Sequence, residues 1–315
     1  MVLASAVLWG TSGVVAKHVM ASPSHDPATL VQFRVTLGFL LIGACLLVTN
    51  RRLFRVRMAD LPFLALYGTA GLTASQFTYY FAISQTSVAV AIFIQYLAPV
   101  LTTAYEMFVL GRRPGPATYL VLGLALGGSL LLLLGQAGGG LATTTVGLLA
   151  ALASTAAFAF ATVAGSLGVK RYNPWTLLFW GMGAGCLFWA VLRPPWVVLA
   201  RPWTVADWGV FLYLAVAAGA LPFGLFVSGL RFIGATSAII TATFEPVWAG
   251  FLAFLVLGEA LSPLQVAGCV FILGAIVVLQ AVPGAALEER KPASPGEPSR
   301  PPPHSPGQRQ RPSPG

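Results

Sequence analysis

Long apolar runs separated by short polar breaks constrain this chain more than any other feature of its sequence. A helix that spans a membrane needs about 20 mostly apolar residues, and runs of that length recur along most of the chain. Of the 315 residues, 57% are hydrophobic and 9% are charged, whereas ordinary soluble domains carry roughly 25% charged residues. The pattern predicts an all-α integral membrane protein. It excludes a soluble enzyme, a nucleic-acid-binding module and a disordered protein.

Hydropathy and the polar breaks divide the chain into ten predicted transmembrane helices. They lie near residues 2–20, 29–49, 60–82, 87–110, 116–135, 145–168, 174–192, 206–230, 235–257 and 263–282. A signal peptide is an alternative for the first run, but Lys17 and His18 follow it and no small-residue cleavage site is obvious. Residues 284–315 hold nine prolines and almost no apolar side chains, so we expect a disordered tail there.

Basic residues are distributed unevenly between the loops, and this predicts the orientation of the chain. The loops after the even-numbered spans hold Arg51, Arg52, Arg55, Arg57, Arg112, Arg113, Lys170, Arg171 and Arg231. The opposite loops hold only Lys17, Arg193 and Arg201. Because excess Lys and Arg remain on the cytoplasmic side, we expect a multi-pass protein of the cell membrane with both termini, including the tail, in the cytoplasm.

Shifting the chain against itself by 147 residues brings several prolines, glycines and their neighbours into register. The matching pairs are Pro99 with Pro246, Leu110 with Leu257, Gly111 with Gly258, Pro116 with Pro263, and Gly127 with Gly274. Chance matches in a biased composition are the alternative. The offset predicts a five-helix repeat at 1–136 and a second at 137–283. With five spans in each, the second repeat enters the membrane upside down, and inverted repeats are typical of secondary transporters.

Four segments of the chain carry a further pattern: LWGTSGVVAKHV at 8–19, VQFRVTLG at 31–38, AISQTSVAVAIFIQYLAPV at 82–100, and FEPVWAGFLAFLVLGEALSPLQVAGCVFILGAIVVL at 244–279. The last is the most specific, with Glu-Pro within a helix and Gly-Glu-x-Leu-x-Pro at the next turn. Together they resemble the EamA-type family of the drug/metabolite transporter superfamily over about residues 1–282. The resemblance implies ten helices in two inverted repeats, with the first, third and fourth helices of each half around a central substrate cavity.

Polar side chains recur at helical spacing on the spans that the resemblance assigns to this cavity. On the third span Gln76 and Tyr80 share one face with Thr69 and Thr73. Because polar faces in lipid are costly, such stripes must face protein or water. Contacts between helices are the alternative for the small hydroxyl side chains. The residues that we predict to bind substrate are Trp9, Ser12, Gln76, Tyr80, Gln95, Thr102, Thr241, Glu245 and Trp248.

Two prolines lie within or at the start of predicted helices on symmetry-related spans. A proline inside a helix removes one backbone hydrogen bond and frees the carbonyl group four residues earlier. Pro99 and Pro246 would free the carbonyl groups of Gln95 and Ala242. We therefore predict that both prolines act as hinges beside the cavity, and a kink that only helps packing is the alternative.

Two charges fall at membrane depth, where an ionisable residue is by default a functional hypothesis. Glu245 lies in the ninth span, and its carboxylate would carry a coupling proton or bind a cationic substrate. The alternative is a structural ion pair with Arg34 in the second span, a possible charge partner. Glu106 and Glu259 lie near helix ends, and we expect both to be solvated.

These features predict a secondary transporter that exports small metabolites, either amino acids or amphiphilic drug-like compounds, by alternating access around a midplane cavity. Deep aromatic residues would give that cavity a partly aromatic wall: Trp9, Tyr79, Tyr80, Phe93, Tyr96 and Trp248. A carrier of nucleotide-linked or phosphorylated sugars is a second interpretation, and an integral-membrane enzyme acting on lipids or a channel are others.

The sequence contains nothing that resembles a Walker A loop, a zinc motif or a nucleophile with its base. We therefore expect no enzyme activity, no cofactor, no metal, no ATP hydrolysis and no nucleic-acid partner. The expected partners are a small-molecule substrate and the lipid bilayer, and we expect the chain to work as a monomer.

Overall fold

The computed structural model describes residues 1–19, 25–112, 114–135, 144–257 and 262–282, and these residues form helices without any β-strand. They make ten helices in the positions of the ten predicted spans. The helices are α1 Val2–Val19, α2 Pro27–Thr49, α3 61–85, α4 88–108, α5 Pro116–Gly135, α6 Thr145–Gly168, α7 Pro174–Leu192, α8 205–233, α9 235–257 and α10 Pro263–Ala281. Glu259 and the predicted tail lie outside the described residues.

The amide groups in the first turn of a helix have no partner within the helix. The helices begin either at side chains that accept hydrogen bonds from these amides or at prolines, which have no amide hydrogen. Asp26 caps α2 by accepting a hydrogen bond from the Thr29 amide at 2.9 Å. Ser262 and Gln265 form a reciprocal capping box at the start of α10. Proline, which has no amide hydrogen to lose, opens four helices: Pro27, Pro116, Pro174 and Pro263.

The fourth helix of each repeat is broken at the same place. The segments are Val88–Gln95 and Ala98–Phe108 in α4, and 235–242 and Phe244–Leu257 in α9. The break at Tyr96 lies 147 residues before the break at Thr243, which is the offset found in the sequence. Pro99 and Pro246 each follow a break by three residues. We call the eight residues before each break the α4 half-helix (Val88–Gln95) and the α9 half-helix (235–242).

Gly234 separates α8 from α9. Residues 205–242 would otherwise be one apolar helix of 38 residues. Gly234 has φ +71° and ψ 178°, a combination that is essentially restricted to glycine. The α9 half-helix therefore begins after a non-helical glycine and ends at the turn residue Thr243.

The third helix of each repeat contains a π-helical segment. In α3 this segment is Tyr67–Thr73, and in α8 it is Val216–Ala220. A π-helical turn shifts the backbone hydrogen bonds and is frequent at functional sites. The segment in α8 positions two side chains of the candidate site.

The two repeats pack together through the helices that the resemblance assigns to the cavity. In the described residues α1 packs on α8 and α9, α3 packs on α6, and α4 packs on α6 and α8–α9. α2 lies against α7, and α5 lies along α10. Large apolar side chains such as Leu40, Val48 and Leu187 are exposed on the outside, as the hydrocarbon core of a bilayer requires. By length and composition, seven helical segments in the described part can span a membrane, and the chain is an all-α integral membrane protein.

The expectation that Glu106 is solvated was wrong. Its side chain is buried, and Oε2 lies 3.6 Å from Nη1 of Arg112. Thr236 at the start of the α9 half-helix also contacts the carboxylate. The end of α4 that carries Glu106 packs against the start of α9, so a position near a helix end did not imply that the side chain is exposed to water.

Candidate functional site

A small cavity lies where helices of both repeats meet, and it encloses about 80 Å³. We call it the central cavity. It is lined by seven residues that the sequence singled out, namely Trp9, Ser12, Arg34, Gln76, Tyr80, Gln95 and Glu245. These side chains come from α1, α2, α3, α4 and α9. The fold thus brings residues from both ends of the chain into one space.

Arg34 is buried in the wall of the central cavity and is held by oriented polar groups. Nη1 donates to the Tyr80 hydroxyl at 2.7 Å, and Nη2 donates to the Ala218 carbonyl. Its guanidinium also lies 5.6 Å from the ring centre of Tyr80 and 5.7 Å from that of Phe223, within range of a cation–π interaction. Ala218 belongs to the π-helical segment of α8, and its carbonyl also accepts from Trp9 Nε1 at 3.2 Å.

Glu245 lies at the break in α9 and is contacted from the first repeat. The Tyr96 hydroxyl donates to its Oε2 at 2.8 Å and also lies 3.3 Å from the Ala242 carbonyl. That carbonyl is the one that Pro246 leaves without a helical donor. Gly10 lets α1 pack closely against α9 at this point, because a Cβ at residue 10 would stand 2.7 Å from the Glu245 carbonyl oxygen.

Arg34 and Glu245 line the same cavity without forming a direct ion pair. Each has the partners named above, and neither is paired with the other among the described residues. The cavity therefore presents a cation and a carboxylate separately. Two separate charges can bind two groups of opposite charge on one ligand.

Gln76 is the side chain in the central cavity whose hydrogen-bonding capacity is left unused. It is 5% exposed, and within the described part of the chain neither amide atom has a hydrogen-bond partner. Nε of Arg34 is buried and unpaired in the same way. Leaving a buried polar group unpaired costs about 1–3 kcal/mol, so such groups at a cavity indicate that water or a ligand completes them.

A second and much larger cavity, about 1170 Å³, opens beside the first at the ends of α4, α6 and α8. We call it the vestibule. Arg112, Lys170 and Arg231, which belong to the basic set of loops, line it together with Glu106. The α9 half-helix separates the two cavities, since Thr241 lines the vestibule and the next residue, Ala242, lines the central cavity.

The other predicted site residues lie outside the central cavity. Thr241 lines the vestibule, and Thr102 is buried and accepts a hydrogen bond from the Thr236 hydroxyl at 3.1 Å. Trp248 Nε1 donates to the Thr11 hydroxyl at 3.1 Å, at the contact between α9 and α1. Their roles, like those of the predicted hinges Pro99 and Pro246, stay predictions.

Six wall residues were neither predicted site residues nor among the deep aromatic residues: Ser75, Ile83, Val88, Phe158, Phe223 and Ala242. Phe158 and Phe223 pack against Trp9 with ring centres 6.4 Å and 5.0 Å away. Phe223 belongs to an apolar run without a polar stripe to mark its face, whereas Phe158 lies on the face of α6 that carries Thr155 and Thr162, a signal that could have found it. Tyr79 and Tyr96 line the cavity as well, and both were among the deep aromatic residues of the sequence.

At the opposite end of the helices, Asp26 connects the two repeats. Its carboxylate oxygens lie 3.0 Å from Nη1 of Arg193 and 3.5 Å from Nη1 of Arg201. Burial by itself raises the pKa of Asp26, but hydrogen bonds from Thr29 and Arg193 outweigh burial and hold that pKa below its ordinary value. The ion pairs therefore tie the start of α2 to the α7–α8 loop.

A ten-helix membrane fold with a polar cavity between two repeats defines a class of protein, the membrane transporters. The family model of the EamA-like transporter family matches the chain twice, at residues 1–134 and at residues 145–280. The chain belongs to the EamA-like transporter family.

Relatives from distant organisms match over nearly their whole length. An uncharacterized inner membrane transporter, YicL, from Salmonella typhimurium is 26% identical over 88% of this chain and 93% of its own. An uncharacterized transporter from Archaeoglobus fulgidus is 30% identical over 88% and 94%. The uncharacterized transporter YwfM of Bacillus subtilis is 27% identical over 90% and 93%. A protein of known crystal structure aligns with a TM-score of 0.70 at 21% identity, covering 88% of this chain and 94% of that one, and this likeness shows a shared fold.

Proposed function

We propose that the protein is a secondary transporter that exports small zwitterionic or amphiphilic metabolites, with amino acids as the leading class. The observation that carries the proposal is that Arg34 and Glu245 line the same cavity and form no ion pair with each other. A substrate carboxylate would bind Arg34, and a substrate ammonium group would bind Glu245. The unpaired amide of Gln76 would complete the polar contacts.

The charge balance favours a zwitterion over a phosphorylated sugar. Among the described residues that line the central cavity, Arg34 is the one cation and Glu245 is the one carboxylate. A phosphate or diphosphate carries more negative charge than one guanidinium balances, and Glu245 would repel it. The aromatic wall formed by Trp9, Tyr79 and Tyr80 suits an apolar portion of the substrate.

Alternating access is supported by the sizes of the two cavities. Ligand sites of drug-sized molecules commonly enclose about 300–1,000 Å³, and the central cavity encloses about 80 Å³. It must therefore widen to receive a metabolite, as a carrier that changes shape does. The vestibule is already large enough for a metabolite.

The vestibule faces the cytoplasm in this proposal, and both termini lie on that side. The support is the position of Arg112, Lys170 and Arg231 in its lining and the retention of Lys and Arg on the cytoplasmic side of membranes. The substrate would pass from the cytoplasm through the vestibule to the central cavity and leave on the other side. This path requires neither ATP nor a cofactor.

The test is transport by the purified protein in liposomes, measured with radiolabelled amino acids. We expect saturable uptake and counter-transport, which separate a carrier from a channel. Glu245→Gln keeps the shape of the side chain and removes its charge, so it should reach the membrane normally and reduce net transport by about tenfold or more, the loss of ~1.4 kcal/mol of stabilisation. Asp60→Asn is the matched control and should transport normally, because this carboxylate lies outside the central cavity, where it pairs with Arg171 and accepts from the Tyr172 hydroxyl. Wild-type transport by Glu245→Gln, with an unaltered pH profile, would exclude the role assigned to this carboxylate.

A further inference from the structure

The α9 half-helix contributes residues to the walls of both the vestibule and the central cavity. Ala235, Ser237 and Thr241 face the vestibule, and Ala242 faces the central cavity. All eight residues are buried. Gly234 interrupts the helix at the start of this segment, and a turn at Thr243, just before α9 continues at Phe244, marks its end.

Tyr96 contacts this wall at its central-cavity end. Its hydroxyl, on a side chain that is 4% exposed, donates to Glu245 and lies against the Ala242 carbonyl. Tyr96 itself stands at the break in α4. One hydroxyl group therefore connects the break in the first repeat to the last carbonyl of the α9 half-helix and to the carboxylate that follows it.

The contact has no counterpart in the other repeat. The residue 147 positions after Tyr96 is Thr243, and its hydroxyl donates to the Ile240 carbonyl of its own helix at 2.6 Å. The backbone break is therefore shared by both repeats, whereas the connection between the breaks is made from one side only. A one-sided connection is expected of a group that controls one of the two access routes.

We propose that Tyr96 is the positioning residue that holds the central cavity closed toward the vestibule, and that a cationic group of the substrate releases it by competing for Glu245. The proposal rests on the proposed transport function for its substrate. The carboxylate that accepts from Tyr96 is the same group that a substrate ammonium would approach. Binding of an amine at Glu245 therefore removes the hydrogen bond that keeps the α9 half-helix in place. Recognition of the substrate and opening of its route become one event.

The experiment measures access to the central cavity and needs no substrate. Cys45, Cys186 and Cys269, the three cysteines of the chain, are first replaced by alanine, and Ser12→Cys then places one thiol in the central cavity. Inside-out vesicles are treated with a membrane-impermeant methanethiosulfonate, so that the reagent reaches the cytoplasmic face. Tyr96→Phe, which removes only the hydroxyl, should increase the rate of modification about tenfold, equivalent to ~1.4 kcal/mol.

Matched variants identify the cause of such an increase. Tyr79→Phe removes another hydroxyl from the same cavity and should leave the rate unchanged. Ser166→Cys, in the part of the vestibule wall formed by α6 and not by the α9 half-helix, should react equally fast with and without Tyr96→Phe. Glu245→Ala removes the acceptor and should increase the rate at Ser12→Cys like Tyr96→Phe, and it replaces that variant if Tyr96→Phe is not found in the membrane.

An unchanged rate in both Tyr96→Phe and Glu245→Ala would overturn the proposal, and so would an increase seen only with reagent on the other face. An equal increase in Tyr79→Phe would also overturn it, because the effect would then be general loosening. If Tyr96→Phe accelerates labelling while no amino acid is transported, the gating role stands and the substrate assignment fails. The two proposals can therefore fail separately.

Discussion

The α4 half-helix and the α9 half-helix occupy equivalent positions in the two repeats, yet their ends are built differently. The residue before the α4 half-helix is Ser87, whose hydroxyl oxygen accepts from the Val90 amide at 3.2 Å. The residue 147 positions later is Gly234, with positive φ and no side chain to act as a cap. The α4 half-helix therefore begins at a residue that caps it, whereas the α9 half-helix begins after a glycine that cannot; we call Gly234 the glycine joint.

The two half-helices also differ in what holds them. Gln95 Nε2 donates to the Ser154 hydroxyl at 2.9 Å, and the Ile94 carbonyl accepts from the Thr155 hydroxyl at 2.8 Å, so α6 holds the α4 half-helix. The α9 half-helix is held at its two ends by Thr102 and Tyr96 of α4. Inverted symmetry fixes where the helices break, while unrelated side chains decide how firmly each half-helix is held. The two access states are therefore expected to differ in free energy.

The largest effect should come from fixing the α9 half-helix to α4. The hydroxyl oxygens of Thr102 and Thr236 are 3.1 Å apart, so cysteines at these two positions would be adjacent, and a shift of about 1 Å would bring their sulfur atoms to the bond length of about 2.05 Å in a disulfide. In the cysteine-free background, Thr102→Cys with Thr236→Cys should lose nearly all transport on oxidation and regain it on reduction.

Thr102→Cys alone is the control for this cross-link, since treatment with the same oxidant cannot form a disulfide between α4 and α9 in that variant. Transport that persists in the cross-linked fraction would show that the α9 half-helix stays in place during the cycle. The asymmetry described above would then have no part in opening the cytoplasmic route.

A smaller effect is expected from the prolines at the two breaks. Pro246→Ala restores a backbone donor for the Ala242 carbonyl and so competes with the Tyr96 hydroxyl for it. We expect the turnover number to fall about fivefold, which corresponds to ~1 kcal/mol in the activation barrier of transport, with KM little changed. Pro99→Ala should act in the same direction and less strongly. Equal effects of both substitutions on kcat in the liposome assay would mean that the two breaks are functionally equivalent.

The smallest effect concerns the glycine joint and is one of stability. Gly234→Ala places a Cβ where φ is +71°, and such strain costs about 1–3 kcal/mol. The thermal midpoint in detergent should fall by a few degrees. Gly127→Ala is the control, because Gly127 lies within α5 with open space around its Cβ position, and it should not lower the midpoint. A midpoint of Gly234→Ala equal to that of the control would mean that the joint is not strained.

The helices were predictable because a bilayer demands apolar runs of a fixed length, and few polar residues obscured them. On the fourth span the sequence places Gln95, Thr102 and Glu106 at helical spacing on one face, and this polar stripe was predictable only in part. Gln95 lines the central cavity, but beyond the break Thr102 and Glu106 contact Thr236 instead. On an unbroken helix, Gln95, Thr102 and Glu106 would lie on one face. The break at Tyr96 instead turns the segment Ala98–Phe108 so that Thr102 and Glu106 face α9.

The place of Arg34 was harder to predict. The resemblance puts the second helix outside the main wall of the cavity, yet Arg34 reaches the cavity and is held there by Ala218. The π-helical segment that presents this carbonyl has no established signature in the residues Val216–Ala220. Propensities describe side chains, and the decisive acceptor here belongs to the backbone.

The Ala218 carbonyl, which accepts from both Trp9 and Arg34, has a genetic consequence. A main-chain oxygen persists whatever side chain is encoded at its position, so no missense change at residue 218 deletes this acceptor directly. Alanine scanning would pass over the position, since the residue is already alanine and only 1% exposed. Mutational surveys would thus attribute the anchoring of the guanidinium to Tyr80 alone. Divergence of substrate preference among relatives would then arise at the side chains around this oxygen, while the oxygen itself stayed in place.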